Sequence, residues 1–374
     1  MKEDNYSLLR IYSPKYKKAS KKQKGVILTE IVSLTGYHRK HARKLLLYPP
    51  VKRKFTRNRS STYLSILPKL RRIWAISNFS CGKILVPAIP NLLKVLVKFK
   101  ELKATINDKE LLLKISPATC DRLLKPDRKV LEIKGRSGTK PGSLLKHQIP
   151  VRIFTPWDEQ HPGFLEIDYV AHCGETLADT YINTLDSTDI ATCWTEKYAC
   201  MGRSEKVTVE AFEKLENKFP FPILGVDSDN DILFINWHFM RMCKRKQITF
   251  TRSRAYRKND QAHIEQKNFS TVRKIIGYQR LETEKQLETL NQIYQLLSDY
   301  LNFFIPTLKL VRKEHIGSRV KRIYDKPKTP YQRVLDHPDI DENTKIILQS
   351  KYLTINPAHV LRRINNLTNK LLKG

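Results

Sequence analysis

The sequence predicts helical units at the N-terminus, an α/β layer in the middle of the chain and a small basic region with β character at the C-terminus. Three observations predict this order. Apolar residues recur at helical spacing up to about residue 125, strand-like segments alternate with helices over about 164–260, and basic residues mix with strand-like segments over 308–324. The chain has 374 residues, 40% of them hydrophobic, which is enough for two or three domains and a substantial core.

The first unit, over 1–60, has the pattern of a helix-turn-helix. Apolar residues over 26–34 follow helical spacing, Gly36 interrupts the pattern, and a second helix is predicted over Arg39–Leu47. Four basic residues lie on the outer faces of that second helix and are predicted to contact DNA: Arg39, Lys40, Arg43 and Lys44. An ordinary helical hairpin with a solvated basic face is the alternative, and the surrounding positive charge favours DNA contact.

A second helical unit is predicted over 63–126, and its last part repeats this pattern. Asp108 is expected to cap a helix over 109–114. Ser116 and Pro117 then open another helix that runs through Leu124. Serine is a favourable N-cap, and proline lacks the N–H that the first helical turn leaves without a partner.

Arg122 and Lys125 are the exposed residues of this last helix that we expect to contact DNA. The segment that follows, over 127–157, is rich in proline, glycine and lysine. Such a composition is typical of an extended basic linker. The two helical units in tandem suit recognition of an extended DNA site.

From Phe164 onward the apolar pattern changes from helical to strand-like. Strands are predicted around 164–170, 180–185 and 192–195, followed by a helix over 205–219, a strand over 222–226, a helix over 236–244, a strand over 248–250, and helices that begin near 260 and 284. Three strands followed by alternating helices and strands are typical of the ribonuclease H-like α/β fold. We therefore predict such a core over 158–305 and a basic C-terminal region over 306–374.

The formal net charge of +32 is distributed unevenly. Residues 1–60 carry 17 Lys and Arg against 3 Asp and Glu, residues 158–240 carry 5 against 16, and residues 241–334 carry 22 against 8. The excess of positive charge favours a polyanionic partner, most simply nucleic acid, and an acidic membrane surface is the other candidate. Most acidic residues of the stretch 158–240 are expected to lie on the surface in contact with solvent. If a few of these carboxylates hold divalent cations against phosphate, they would explain why this acidic stretch lies between basic flanks.

Three acidic residues are candidates for such a site. Asp168 lies within a predicted strand, Asp229 at the end of the fourth one, and Glu265 on a predicted helix. A carboxylate buried in a strand costs free energy unless it is compensated, and a bound metal ion compensates it. Three carboxylates from two strands and a helix suit two divalent cations about 4 Å apart. Glu166 shares the strand face of Asp168, and Asp227 and Asp231 are expected to be supporting residues or loop residues.

Several short motifs surround these acids in a fixed order. They are Gly138-Thr139-Lys140-Pro141-Gly142, Pro162-Gly163-Phe164 before Asp168, Ser228-Asp229-Asn230, Thr249-Phe250-Thr251-Arg252-Ser253-Arg254, Lys258-Asn259-Asp260 before Glu265-Gln266-Lys267-Asn268, Arg273 with Gly277-Tyr278, and Asn302-Phe303-Phe304. Each motif is weak alone. In this order and at this spacing, over about 20–335, the sequence resembles the integrase-type DDE transposases of bacterial insertion sequences, which are relatives of the retroviral integrases.

The resemblance implies a transposase that cuts transposon ends and joins the new 3′-hydroxyl to target DNA. Asp168, Asp229 and Glu265 would be the catalytic residues and would bind two Mg²⁺ or Mn²⁺ ions for in-line phosphoryl transfer. The DNA partners would be the terminal inverted repeats and the target, and a homo-oligomer is expected because two ends must be joined together. Further DNA contacts are expected from residues in these motifs: Lys140, Arg252, Arg254, Lys258, Lys267, Asn268 and Arg273.

One segment departs from the family's pattern. The family usually has glycine after the Asp-Asn pair, then a small residue and glutamate before an aromatic residue, whereas the run here is Asp229-Asn230-Asp231-Ile232-Leu233-Phe234. Asp231 can adopt a left-handed backbone at moderate cost, and Leu233 removes a polar group. The alternative function is therefore a catalytically impaired or domesticated sequence-specific DNA-binding protein. A ribonuclease H-like nuclease that acts on hybrids or junctions is a third interpretation.

Other features argue against several classes of protein. No apolar run follows the N-terminus, and the most apolar window, 84–97, is only 14 residues long and contains prolines and a lysine, so neither a signal peptide nor a membrane span is predicted. The six cysteines form no CxxC pair and are expected to be reduced thiols, and no cysteine pair follows His38 and His41 to complete a zinc site. We expect a cytoplasmic, nucleoid-associated bacterial protein.

Overall fold

The computed structural model describes residues 2–49, 62–129, 160–228, 234, 236–252, 268–316 and 319–373. The chain divides into two compact units, Met1–Ser61 and Thr62–Gly374. The first is helical, and the second contains a five-stranded mixed sheet with flanking helices and a separate two-stranded sheet. The predicted order of a helical N-terminal region and a mixed α/β core is confirmed. No helix within the described ranges has an apolar stretch long enough to cross a membrane.

In the first unit, each helix buries one of its sides against the other helices. Its helices are α1 (Lys2–Lys18), α2 (Lys21–Thr35) and α3 (Arg39–Leu47). Gly36 ends α2 in the left-handed conformation, with a φ of 69°. Leu9, Ile31 and Leu46, one from each helix, are fully buried. The two predicted helices therefore correspond to α2 and α3, whereas α1, which contains Pro14 in its interior, was not predicted.

The second unit begins with further helices. They are α4 (Leu67–Ile76), α5 (Gly82–Lys98), α6 (Ile106–Lys114) and α7 (Pro117–Lys129). The prediction that Asp108 caps α6 is wrong: Thr105 is the cap, and the carboxylate of Asp108 reaches back to accept the Thr105 N–H at 2.8 Å. At the start of α7, the Ser116 Oγ accepts the N–H of Thr119 at 3.2 Å, as the predicted Ser-Pro start requires.

The sheet has the spatial strand order β3-β2-β1-β4-β5. Its strands are β1 (Phe164–Ala171), β2 (Ile182–Asp189), β3 (Thr195–Met201), β4 (Gly225–Ser228) and β5 (Thr249–Arg252). β1, β2 and β3 are antiparallel neighbours, whereas β4 is parallel to β1 and β5 is parallel to β4. β3 begins at Thr195 rather than at the predicted Thr192, because the Asp189 carboxylate accepts the N–H and the hydroxyl of Thr192 at 2.7 and 2.6 Å and makes this segment a turn.

Helices flank the sheet and cover one of its faces with aromatic side chains. These helices are α8 (Glu205–Glu216) and α9 (Trp237–Arg245). After β5, the next described residues form a π-helical turn (Asn268–Arg273), the short helix α10 (Lys274–Ile276) and the long helix α11 (Glu284–Phe304). The ring of Phe239 on α9 lies 5.3 Å from that of Phe212 on α8 and 5.2 Å from that of Phe250 on β5. These edge-to-face contacts join both helices to the sheet.

The C-terminal region contains the strand pair β6 (Leu310–Ile316) and β7 (Arg319–Tyr324) and the helices α12 (Pro330–Asp336), α13 (Glu342–Thr354) and α14 (Pro357–Lys373). The basic region is thus partly β-structured, as predicted. The hydroxyl of Tyr300 on α11 donates to the Ile76 carbonyl of α4 at 2.7 Å, and Arg362 on α14 pairs with Glu101 at 2.6 Å. The segments 63–126, 158–305 and 306–374 therefore pack together within one compact unit.

Strand β3 forms one edge of the sheet, and α11 covers this edge with two asparagines. The side-chain amide of Asn302 accepts from the N–H of Thr195 and donates to its carbonyl, both at 3.0 Å. Asn291 makes the same pair of bonds with Ala199, at 2.9 and 3.0 Å. Since an amide side chain carries the same donor and acceptor as the backbone, the two asparagines occupy hydrogen-bonding positions that an edge strand leaves open.

Candidate functional site

Asp168 lies in the central strand β1, where its side chain is half-buried. Its Oδ1 accepts the N–H of Tyr169 at 2.7 Å, and its Oδ2 accepts the Nδ2 of Asn268 at 2.5 Å. Asn268 is the first residue of the π-helical turn, and its own Oδ1 is buried with no hydrogen-bond partner among the described residues. The carboxylate of Asp168 is therefore fixed where this turn meets the sheet.

The end of β4 lies beside Asp168. The parallel register of β1 and β4 pairs Ile167 with Ser228, the last residue of β4. Asp229 follows Ser228 in the sequence, and Glu265 precedes the π-helical turn by three residues, but both acids lie outside the described residues. Within the described ranges, no group of three or more His, Cys, Asp or Glu side chains is arranged to hold a metal ion.

A row of polar side chains crosses the sheet next to Asp168. In register from β3 to β5 it contains Thr195, Thr188, Glu166, Asp227 and Thr251, and each is at most 1% exposed. The Thr251 hydroxyl donates to the Asp227 Oδ1 at 2.6 Å, and the Thr188 hydroxyl donates to that of Thr195 at 3.3 Å. Buried polar groups are costly without partners, so this row is an ordered polar layer inside the protein.

A second row contains Asp168 itself together with a buried ion pair. Asp186 on β2 is the register partner of Asp168, and Lys197 on β3 is the register partner of Asp186. The Lys197 Nζ lies 3.0 Å from the Asp186 Oδ1, and the exposed fractions of the two side chains are 2% and 0%. Sequence reasoning missed this pair, because register between strands cannot be derived from spacing along the chain. The alternation of Thr184, Asp186 and Thr188 was a signal of a polar strand face.

The same face of the sheet holds a buried histidine, also missed from the sequence. The His172 Nε2 lies 2.8 Å from the Thr184 Oγ1, and this hydroxyl lies 2.6 Å from the Tyr294 hydroxyl of α11. Burial, together with the nearby charge of Arg273, lowers the pKa of His172 to about 3. His172 is therefore neutral at physiological pH and links β1, β2 and α11 through hydrogen bonds.

Comparisons with known proteins place this chain in a family. No family model matches it. It is 37% identical over 323 residues to the uncharacterized protein y4rM of Sinorhizobium fredii, and the match covers 85% of this chain and 91% of that protein. The chain belongs to the y4rM family. Among solved structures, the catalytic core domain of BIV integrase gives a TM-score of 0.31 with 16% identity, over 46% of this chain and 91% of that one, and a score this low supports no conclusion.

In this member of the y4rM family, the residues predicted to bind DNA through the helical units are on the surface. The side chains of α3 in this group are all exposed: Arg39, Lys40, Arg43 and Lys44. Arg122 and Lys125 on α7 are exposed as well. The Arg39 guanidinium donates to the Thr29 hydroxyl of α2 at 3.0 Å, and this bond orients it along the surface of the first unit. DNA contact by these residues stays a prediction.

Arg273 has a structural partner in addition to its predicted DNA contact. Its guanidinium donates to the Ala171 carbonyl at the end of β1 at 2.8 Å and lies 4.9 Å from the centroid of the Tyr278 ring. Burial lowers the pKa of this guanidinium. Arg273 therefore ties the π-helical turn to β1 and helps to hold Asn268 beside Asp168.

The remaining predicted site residues divide into two groups. Arg252 is half-buried at the end of β5, and Asn268 contacts Asp168. The others lie outside the described residues: Lys140, Asp229, Arg254, Lys258, Glu265 and Lys267. The structure thus brings together Asp168, Asn268 and Arg273 around one end of β1.

Proposed function

We propose that this chain is a DNA transposase of the integrase type. It would cut transposon ends and join the resulting 3′-hydroxyl to target DNA by phosphoryl transfer with two divalent cations. The observation that carries this proposal is the 2.5 Å contact between the Asn268 Nδ2 and the Asp168 Oδ2. This contact joins the segment that follows Glu265 to the strand that carries Asp168, beside the end of β4.

Chain connectivity supports a meeting of the three predicted acids. Asp229 directly follows the last residue of β4, which is the register partner of the residue before Asp168. Glu265 is three residues from Asn268, and three residues of extended chain span at most about 11 Å. We therefore infer that Asp229 and Glu265 join Asp168 at this edge as the catalytic triad.

The strand order gives independent support to a ribonuclease H-like core. Three antiparallel strands are followed by α8, β4, α9 and β5, with the last two strands parallel to the central one. This is the order that the sequence led us to expect for such a core. In open sheets with parallel strands, ligands bind beyond the carboxyl ends of those strands, and Asp229 follows such an end on β4.

The chemistry of the donor atoms suits Mg²⁺ or Mn²⁺. Both ions prefer oxygen ligands, and the proposed set consists of three carboxylates, with the Asn268 Oδ1 as a further buried oxygen. Bound cations would neutralise the charge of the phosphodiester and stabilise its attacking and departing oxygens. The protein's own part would be to orient the Asp168 carboxylate through Asn268 and to hold the DNA strands in line.

The first unit would supply recognition of the transposon ends. The exposed cations of α3 follow a short turn after α2, an arrangement that suits entry of α3 into the major groove. Phosphate contacts of this kind release counterions, so we expect DNA binding to weaken steeply with salt.

The test uses the full chain and DNA that carries the terminal repeats of the element. We expect nicking and strand transfer that depend on Mg²⁺ or Mn²⁺, and a loss of at least about a hundredfold in rate for Asp168→Asn, which removes the charge at constant size. The matched control is Glu210→Gln, at an exposed carboxylate of α8. Equal cleavage by the wild type and Asp168→Asn contradicts the assignment of the site.

A second candidate function rests on the run from Asp229 to Phe234, which departs from the family's pattern at Asp231 and Leu233. A catalytically impaired or domesticated DNA-binding protein would bind the same DNA in a salt-sensitive manner without cutting it. Strand transfer by Asp231→Gly and none by the wild type would favour this candidate. Cleavage by the wild type that is lost in Asp168→Asn would exclude it.

A further inference from the structure

The buried pair of Lys197 and Asp186 is the most unusual electrostatic feature near the candidate site. Its Nζ–Oδ1 distance is 3.0 Å, and water reaches neither side chain to any extent, with exposed fractions of 2% and 0%. A buried ion pair is costly to desolvate and is often no more stabilising than apolar residues of the same size. Stability alone therefore does not account for its presence in the sheet.

The pair is held rigidly. The Thr195 hydroxyl accepts from the Lys197 Nζ at 3.0 Å and donates to the Asp186 Oδ1 at 3.3 Å. The Lys197 carbonyl accepts from the Lys218 Nζ at 2.8 Å, which fixes the backbone of β3 at this position. The charges of the pair therefore have fixed positions relative to the rest of the sheet.

These positions are set by the register of the central strands. Asp168 on β1, Asp186 on β2 and Lys197 on β3 are successive register partners, so all three point to the same face. Side chains directly opposite each other on antiparallel strands have Cβ atoms about 4.5–5.5 Å apart. The carboxylate of Asp186 is thus the neighbour of Asp168, whereas the ammonium of Lys197 lies between that carboxylate and the Thr195 hydroxyl of β3, the strand farther from Asp168.

We propose that Asp186, paired with Lys197, is a positioning residue that sets the negative potential at Asp168 and so the affinity of the site for divalent cations. This inference rests on the proposed function, because it assigns the cation site to Asp168. The nearer carboxylate attracts a cation at Asp168 more strongly than the more distant ammonium repels it, and in a buried environment both charges act with little screening. Neither residue needs to touch the cation.

The test measures Mn²⁺ binding to the full chain without DNA, by calorimetry or electron paramagnetic resonance. Asp186→Asn leaves the ammonium of Lys197 without its partner, and we expect Mn²⁺ to bind about tenfold more weakly. The double variant Asp186→Asn with Lys197→Met removes both charges, and we expect binding to return to within about threefold of the wild type. Such a rescue distinguishes charge from packing, because the double variant has lost more native contacts than the single one.

Two further variants complete the design. Lys197→Met alone removes the ammonium and leaves Asp186 without its partner, so we expect Mn²⁺ to bind at least as tightly as it binds to the double variant. Thermal unfolding verifies that each variant is folded. Asp325→Asn is the matched control, because it also removes the carboxylate of an ion pair, with Arg333 at 2.5 Å. This pair lies in the C-terminal region. We expect it to bind Mn²⁺ like the wild type.

The outcomes separate this inference from the proposed function. Wild-type chain that binds no Mn²⁺, or Asp168→Asn that binds it equally well, overturns the proposed function and this inference with it. A second outcome is that Mn²⁺ binding requires Asp168 but that Asp186→Asn and the double variant bind Mn²⁺ with the same affinity. Whether that affinity equals the wild type's or is weaker, this outcome overturns only the role of the Asp186–Lys197 pair. Binding by folded Lys197→Met that is weaker than binding by the double variant overturns it as well.

Discussion

The two faces of the central sheet use neighbouring residues of the same strands in opposite ways. Leu165 on β1 and Val226 on β4 are register partners on one face, and the next pair along both strands, Glu166 and Asp227, faces the other way. All four side chains are fully buried. Apolar burial stabilises the fold without demanding a particular geometry, whereas buried polar groups must be paired and so fix the positions of their neighbours. At β1 and β4, one face therefore stabilises the fold, and the other orders the candidate site.

The largest expected effect comes from the apolar face. Phe239 is fully buried between the aromatic rings of α8 and β5. We expect Phe239→Ala to reduce the free energy of unfolding by about 3–5 kcal/mol, measured by urea denaturation, because it leaves a cavity. Leu177→Ala, at a side chain that is 67% exposed, is the control and should change it by less than about 0.5 kcal/mol. Loss of Mn²⁺ binding in a folded Phe239→Ala protein would contradict the inference that the apolar face stabilises the fold and the polar face orders the site.

Buried polar groups should also couple stability to pH, which apolar groups cannot do. Glu196 on β3 accepts from the Ser298 hydroxyl at 2.6 Å, and burial raises its pKa to about 7 from an ordinary value of 4.5. Its stabilising contribution is therefore complete below pH 4.5 and is lost as the pH rises through 7. Between pH 4 and 8, we expect the free energy of unfolding of the wild type to fall by about 3 kcal/mol relative to that of Glu196→Gln.

The measurement for Glu196 is the difference in unfolding free energy between the variant and the wild type at several pH values. The difference is necessary because His172, with its pKa lowered to about 3, works in the other direction: it destabilises the fold as the pH falls from its ordinary value of 6.5 towards 3. The two effects oppose each other between pH 4.5 and 6.5. A difference that stays constant from pH 4 to 8 would contradict the prediction.

A smaller effect is expected at the contact that orders the site. Asn268→Ala removes the amide that donates to the Asp168 Oδ2. We expect a decrease of about 10–100-fold in metal-dependent cleavage, the usual cost of losing a residue that orients a metal ligand, with little change in unfolding temperature. Asn217→Ala, which removes an amide bonded to the Glu213 carbonyl on α8, should retain full activity. Equal rates in the two variants would mean that Asp168 needs no such support.

The smallest effect concerns the surface of the first unit. Arg43→Ala should weaken binding to transposon-end DNA severalfold and reduce the dependence of log K on log salt by about 1, as expected for one lost phosphate contact. Lys206→Ala, at an exposed position of α8, is the control. Identical salt dependence in both variants would show that α3 does not contact phosphate.

Most elements of the fold could be predicted from the sequence because their apolar pattern is local. The helix predicted from 284 to 303 ends one residue later, and the strand predicted at Phe164–Val170 extends to Ala171. The prediction failed at β3, where the β-forming residues around Trp194 suggested a strand but the Asp189 carboxylate makes Thr192 part of a turn. Such a side-chain cap depends on chain geometry that propensity does not contain.

The candidate site was only partly accessible from the sequence. Asp168 was identified because an acid in an apolar strand is costly, and Asn268 because it lies in a motif. Their hydrogen bond could not be predicted, because 100 residues separate them in the sequence. The same reason applies to Asp186 and Lys197, which are neighbours only through the register of β2 and β3.

The asparagine bonds on the edge of β3 have a consequence for folding during synthesis. Asn291 and Asn302 lie 92 and 107 residues after the strand residues whose backbone they bind. At the usual 5–20 residues per second, the ribosome makes α11 about 5–20 s after β3. During this interval the edge strand is open to pairing with other nascent chains. We expect premature termination before residue 291 to yield aggregates that chain completion prevents.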